Sequence, residues 1–576
     1  MLSKKGIPVS PGISIGEAVL LGEEDLPIGR LFVPRGSVDA EIQRFDRAVK
    51  AAVEEINEEI ESLRGELGIT RQILESHRDM IADRRLRQEI VDKVRGALHS
   101  AEHALRVVLR EYRKRFEAMA SEYLAERRHD LEDIERKLLR KLLGRRGRGR
   151  TKYPKNTVIV AHNLSPGETA TLDRRQVIAF AIDVGGRTSH TAIMARALQI
   201  PAVVGLEDVS RAVTGGESIV VDGYTGVVIV DPDAETLEVY RRKSRESERF
   251  YAQLRGEVRL PAETVDGHEI LLSANIELPS EIPTALEWGA RGIGLYRTEF
   301  LYEGNAPDEE TQFRTYREAA EMLGSRYFVV RTMDAGADKF HGEAVGRPEK
   351  NPFLGCRSIR LCLEKPALLR TQLRAILRAS RFGKVRILFP MISNLEELRG
   401  ARRILGEVEE ELRREGTDFD PGVPVGIMVE VPSAALLADV FAKEVDFFSI
   451  GTNDLIQYSM AVDRVNERVA HLYQPGHPAI LKLIRAVVEA GRRHGIGVSI
   501  CGEMCGEPIF ATVLLGLGLR SLSVSPISIP MVKRLIRSLS MSDAEEVART
   551  CLSYETAAET QEFLESRVRN LLPDFF

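Results

Sequence analysis

The sequence predicts a multidomain α/β chain: a mixed α/β domain interrupted by a helical bundle, then a (β/α)8 barrel. Three observations carry this. Short strand-like runs near the start give way to long stretches with an apolar residue every three or four positions, and strands then resume. The second half alternates eight strand-like runs with helical segments, as a (β/α)8 barrel requires. A chain of 576 residues is also too long for one core and divides into roughly three or four domains.

Residues 6 to 33 are rich in Gly, Pro and β-branched residues and read as short strands, too few to form a core alone. From Val38 the period changes: Ile42, Phe45, Val49, Val53, Ile56, Ile60, Leu63 and Leu67 line one face of a long helix. Stripes at Ile73, His77 and Ile81, at Leu86, Ile90, Val94 and Leu98, at Val108, Tyr112, Phe116 and Met119, and at Leu131, Ile134, Leu138 and Leu142 complete a bundle. Gly144 to Lys152, with its basic Arg145–Arg150 run, breaks it as a solvated linker. Strands return at Thr157–Ala161, Val177–Ile182, Ala202–Val204, Ser218–Asp222 and Gly226–Val230. The first strands are expected to complete this unit, which makes the bundle an insertion in one of its loops. A polar helix from Ala234 to Arg255 follows as a connector.

The barrel strands are expected at Glu269–Ile276, Gly292–Tyr296, Tyr327–Arg331, Val385–Phe389, Val425–Val431, Val445–Ile450, Gly497–Cys501 and Leu519–Val524. The resulting domain division is 1–34 with 145–233, 35–144 for the bundle, 234–256 for the linker and 257–576 for the barrel.

Composition narrows the function. Hydrophobic residues make up 43% and charged residues 29%, as in a soluble globular protein, and a net charge of -5 argues against a nucleic-acid or membrane-surface binder. No stretch reads as a signal peptide or a membrane span, so a cytoplasmic protein is expected. The five cysteines form neither a disulfide framework nor a zinc pattern.

Two places gather chemistry. Gly185-Gly186-Arg187-Thr188-Ser189-His190 follows a strand and opens a helix, putting His190 in its first turn. It reads either as an ordinary histidine at a helix start or as a phosphoryl acceptor stabilised by free amides and the helix dipole. In the barrel, five of the eight strands end in polar residues, on the face where such folds keep their sites. Arg297, Arg331 and Arg464 are suited to phosphate and carboxylate. Glu430 and Asp454 offer hard oxygen ligands that suit Mg²⁺. Cys501 is either a buried core thiol or a proton donor.

Together these motifs resemble enzyme I of the bacterial sugar phosphotransferase system. The similarity runs through Gly185–Arg196, Gly294–Phe300, Arg331–Asp334, Asn351–Arg357, Val445–Asp454 and His471–Pro475, with Tyr123–Arg127 and Asp133-Ile134 in the bundle. The histidine motif is shared with pyruvate phosphate dikinase and phosphoenolpyruvate synthase. The helical insertion, with no nucleotide-binding domain before it, selects enzyme I, and the lack of a leading sensor domain favours its sugar branch.

The resemblance implies a swivelling phosphohistidine domain, hinged near Asp231–Ala234 and Gly256, that carries His190 between barrel and partner. His190 takes the phosphoryl group of phosphoenolpyruvate and passes it to a histidine of the phosphocarrier protein HPr. It further implies that Arg297, Arg331, Asn453, Asp454, Arg464, Arg357 and Lys339 bind phosphoenolpyruvate, and that Glu430 and Asp454 ligate Mg²⁺. Cys501 then protonates the enolate to pyruvate, Thr169 orients the histidine, and the barrel forms a homodimer. For the HPr-facing surface of the bundle, the expectation falls on His77, Met80 and Leu86.

Overall fold

The computed structural model describes residues 1–10, 12–21, 33–62, 68–118, 131, 133–135, 137–143, 154–164, 176–185, 191–192, 195, 200–302, 306–336, 351–464, 466 and 469–572. The chain divides into two compact units, Met1–Arg249 and Phe250–Phe576.

The first unit is built on an eight-stranded sheet. Its strands are β1 (Leu2–Lys5), β2 (Ile7–Ser10), β3 (Ile13–Leu21), β4 (Thr157–Ala161), β5 (Val177–Ile182), β6 (Ala202–Val204), β7 (Ser218–Asp222) and β8 (Val227–Val230), in the order β1-β8-β7-β3-β4-β5-β6-β2. The first three strands do complete a sheet made mostly of later ones. β3 lies parallel to β4 and antiparallel to β7, and β2 closes the far edge against β6. β4 is buried on both faces, with Ile159 in one apolar cluster and Val158 and Val160 in the other, which explains its unbroken apolar sequence.

Between β3 and β4 the chain makes the helices Val38–Ser62, Gly68–Ile81, Arg84–Ala97 and Ala101–Ala118, followed by helical residues between Leu131 and Leu142. Phe45, Ala52, Ile56, Leu74, Ile90, Leu105 and Leu138 form their common core, so the described residues of the stripes lie on the packed faces, while Leu63, Leu67 and Met119 lie outside the described residues and the side chains of Ile73 and Phe116 are not described. Asp83 caps the third helix by accepting the Leu86 N–H at 2.7 Å. His77 and Leu86 are both buried and belong to the bundle's interior rather than to a docking surface, while Met80 is half-buried. A position on an apolar stripe is claimed first by the core.

A helix from Ala234 to Glu257 leads out of the first unit and continues through Gly256. The second unit is a closed parallel barrel of β9 (Leu271–Ile276), β10 (Ile293–Tyr296), β11 (Tyr327–Arg331), β12 (Lys384–Phe389), β13 (Val425–Val429), β14 (Phe447–Ile450), β15 (Gly497–Ile500) and β16 (Ser521–Val524). All eight expected strands are present, and β16 returns to pair with β9. Leu295, Val329, Leu388, Met428 and Phe447 fill the interior. All five cysteines are free thiols. No described helix is long and apolar enough to cross a membrane.

Candidate active site at the C-terminal end of the barrel

The polar strand ends converge. β13 is a fully buried run, Val425-Gly426-Ile427-Met428-Val429, and the next residue, Glu430, is 1% exposed. Its Oε1 accepts the backbone N–H of Met391 at 2.6 Å. Met391 follows β12 with φ +57°, a left-handed conformation that costs a non-glycine residue energy. Across from it, a Cβ on Gly451 would lie 2.7 Å from Glu430 Oε2, so glycine leaves room for the carboxylate. Asp454 sits in the first turn of the helix Thr452–Met460 that follows β14.

At the end of β11, Arg331 donates to Glu299 Oε1 at 2.9 Å and lies 3.0 Å from Asp334 Oδ2. Glu299 Oε1 also accepts the Asp334 N–H at 3.0 Å. Arg357 reaches Asp334 Oδ1 at 3.2 Å from a loop whose next residue, Ser358, has φ +56°. Under this corner lies a buried polar network. Gln372 accepts the Met333 N–H at 2.9 Å and donates to Thr298 Oγ1 at 3.1 Å, and Thr298 donates to the Arg331 carbonyl at 2.9 Å. Two further arginines are held singly, Arg297 by Glu277 at 3.0 Å and Arg464 by Glu503 at 3.2 Å. Glu503 Oε1 also accepts from Asn453 Nδ2 at 3.2 Å.

Among the described residues the ion pairs here leave two carboxylates over. Arg297, Arg331, Arg357 and Arg464 are paired with Glu277, Glu299, Asp334 and Glu503, which leaves Glu430 and Asp454 with no cation of their own among the described residues. One oxygen from each of Asp334, Glu430 and Asp454 lies within 4.8 Å of the other two. Burial, then Asp334 and Asp454, hold the Glu430 carboxyl well above its ordinary pKa, and burial with Asp334 raises Asp454. Asp334 is pushed up by burial but held below its ordinary value overall by Arg331 and Arg357. A cluster of hard oxygens, two of whose carboxylates form no ion pair among the described residues, fits a divalent cation such as Mg²⁺.

Cys501 follows β15, 2% exposed. Ser449 Oγ donates to its sulfur at 3.2 Å, and Asn275 Nδ2 donates to its carbonyl at 2.8 Å. Burial pushes the thiol up to about 11, so it is protonated at neutral pH. Gly502 is fixed by close approach, since a Cβ there would fall on Thr452 Oγ1.

The structure thus brings Arg297, Arg331, Arg357, Glu430, Asn453, Asp454, Arg464 and Cys501 to one end of the barrel. Residues 191, 192 and 195 are helical and follow β5 as expected, with Thr191 Oγ1 donating to the Leu164 carbonyl at 3.2 Å. His190, Thr169 and Lys339 lie outside the described residues. Reading the sequence missed Asp334 as the third carboxylate of the cluster, Glu299 as the anchor of Arg331, and Ser449 and Asn275 as partners of Cys501. The polar Ser273 and Asn275 in an otherwise apolar first strand were the available signal for the last of these.

Comparisons agree along the chain. Residues 251–541 match the PEP-binding domain of PEP-utilising enzymes, residues 5–127 their N-terminal domain and residues 153–226 their mobile domain. The chain is 42% identical to the phosphoenolpyruvate-protein phosphotransferase of Staphylococcus carnosus (strain TM300), over 98% of this chain and 99% of that one. It is 45% identical to that of Geobacillus stearothermophilus, over 97% of each, and 43% identical to that of Bacillus subtilis (strain 168), over 98% and 99%. An NMR solution structure of an Enzyme I (nEIt) protein, 38% identical, covers 42% of this chain and 99% of its own at a TM-score of 0.37.

Proposed function

Because this chain belongs to the phosphoenolpyruvate-protein phosphotransferases, we propose that it moves the phosphoryl group of phosphoenolpyruvate first to its own His190 and then to a histidine of the phosphocarrier protein HPr. Pyruvate is released, and the reaction is the first general step of the sugar phosphotransferase system. The observation that carries this reading is the clustering of the Asp334, Glu430 and Asp454 carboxylates at the barrel mouth, set among four arginines and a buried protonated thiol. A small substrate bearing phosphate and carboxylate, bound with Mg²⁺, matches that arrangement.

In this reading Arg297, Arg331, Arg357 and Arg464 hold the two anionic ends of phosphoenolpyruvate, with Asn453, Asp454 and Lys339 completing the pocket. Their guanidinium forks fix orientation, which matters because phosphoryl transfer depends on in-line positioning and charge neutralisation. Glu430 and Asp454, joined by Asp334, hold Mg²⁺, which when bound supplies positive charge to the transferring phosphoryl group. Thr169 orients His190 for attack, and Cys501 gives its proton to the enolate. Residues 145–233, with the strands of 1–34, carry His190 between the barrel and the carrier-docking bundle of 35–144. The linker is 234–256 and the barrel 257–576. Leu436, Leu437 and Val440 are exposed apolar surface on the barrel that a second copy would cover in a homodimer. The protein acts in the cytoplasm.

The test is incubation of the full chain with labelled phosphoenolpyruvate and Mg²⁺, with and without HPr. Label is expected to pass through the chain to HPr with one pyruvate formed per phosphoryl group. Labelling that requires ATP, or phosphoenolpyruvate binding without pyruvate release, contradicts the proposal.

A further inference from the structure

Ser449 stands in the middle of β14 and faces the barrel interior, which is otherwise lined here by Leu295, Val329, Leu388, Met428 and Phe447. It pairs in register with Met428 on one side and Ser499 on the other, and it is fully buried. A hydroxyl in such a layer is costly unless bonded. Its one side-chain hydrogen bond among the described residues is donated to Cys501 Sγ at 3.2 Å. The other hydrogen bonds of Cys501 among the described residues are made by its backbone and its own proton. Its N–H donates to the Ile450 carbonyl at 3.0 Å, its carbonyl accepts from Asn275, and its S–H is directed at the Ile450 carbonyl at 3.6 Å. Among the described residues the sulfur thus accepts from one donor, the Ser449 hydroxyl.

We infer that Ser449 is the positioning residue of the protonation step, aiming the Cys501 thiol and remaining bonded to the sulfur as the proton leaves. This rests on the reading of Cys501 as the acid. In the step, the S–H bond breaks and its proton is taken by the methylene carbon of the pyruvate enolate, whose C=C π pair forms the new C–H bond as the enolate oxygen becomes the carbonyl of pyruvate. The S–H electron pair stays on sulfur as a thiolate, which regains a proton from water before the next turnover. A hydroxyl donating to a thiol becomes a stronger, charge-assisted bond to a thiolate. Ser449 therefore stabilises the step more than the ground state, the condition for raising a rate.

The experiment is single-turnover pyruvate release by the full chain with phosphoenolpyruvate and Mg²⁺, in H₂O and D₂O, alongside phosphoenolpyruvate affinity. Ser449→Ala is expected to slow release about 10- to 100-fold, as loss of a hydrogen bond to a charged group does. Affinity should stay within about twofold, and the solvent isotope effect should rise as protonation becomes limiting. Ser449→Cys, a near-isostere with a weak donor, should fall between, and it carries the test if the alanine variant does not fold. Wild-type release in Ser449→Ala overturns the inference, as does a parallel loss of affinity, which would mark a purely structural role. If Cys501→Ala itself releases pyruvate at the wild-type rate, the acid reading fails, and the inference with it. If Cys501→Ala is inactive and Ser449→Ala is normal, the inference fails alone.

Discussion

In the helical bundle, Lys137 lies 2.8 Å from Glu59 and 3.7 Å from Glu55, and Lys141 pairs with Glu55, so two cations meet two carboxylates. At the barrel mouth, Arg331 and Arg357 meet Glu299 and Asp334, while Glu430 and Asp454 crowd against Asp334 with no cation of their own among the described residues. Both regions take charge at least partly out of water, and among the described residues only the bundle pairs each carboxylate with a cation. Balanced pairs hold helices together, whereas an uncompensated cluster costs stability that structure alone does not repay. The difference separates a scaffold from a site prepared for ligands.

The strongest way to break the comparison is Arg331→Met. It leaves Glu299 and Asp334 buried without their main counter-charge, and a loss of about 3–5 kcal/mol in denaturant unfolding of the barrel is expected, together with loss of phosphoenolpyruvate binding. Unchanged stability would mean that the barrel mouth tolerates net charge freely. Next comes Glu430→Gln, which should cut phosphoryl transfer by about 10³-fold while raising metal-free thermal stability by about 1 kcal/mol, because a crowding charge is removed. Mg²⁺ should then protect the wild type against heat far more than the variant. A destabilised Glu430→Gln would show that the carboxylate is a structural group.

Lys137→Met sharpens the other side. It unbalances Glu55 and Glu59 and is expected to cost the bundle about 1 kcal/mol while transfer from phosphoenolpyruvate to the chain proceeds at the wild-type rate. The smallest effect concerns pH. Glu217 accepts from the Thr214 hydroxyl, the Thr214 N–H at 2.7 Å and the Gly215 N–H at 2.7 Å, and its carboxyl is held down at about 2. A depressed carboxyl contributes stability above its unfolded value of about 4.3, lost as pH falls from there toward 2. Glu217→Gln should flatten that acid limb by no more than about 0.5 kcal/mol, since the group is exposed.

The barrel strands were legible because each is a short apolar run between helical periods, and closure of eight such units fixes which ends face the site. Arg297, Glu430 and Cys501 were visible as polar residues terminating those runs. Asp334 as a cluster member was not, because it lies three residues beyond Arg331 and its position depends on Glu299 and on the distant Arg357. The Met391 N–H that holds Glu430 could not be read at all, since a backbone donor has no sequence signature. Ser449 was hidden for the opposite reason: one serine in Phe447-Phe448-Ser449-Ile450 disturbs an apolar strand too little to stand out. In the bundle, the two stripes that contain His77 and Leu86 read as core, and both residues are buried there, which leaves neither for a docking surface.

The central claim is tested most directly by labelling the full chain with phosphoenolpyruvate carrying a labelled phosphoryl group, beside the His190→Ala variant, with Mg²⁺ and without any carrier. One acid-labile phosphoryl group per wild-type chain, mapped to His190, and none on the variant is the expected result. Label retained by His190→Ala would contradict the account.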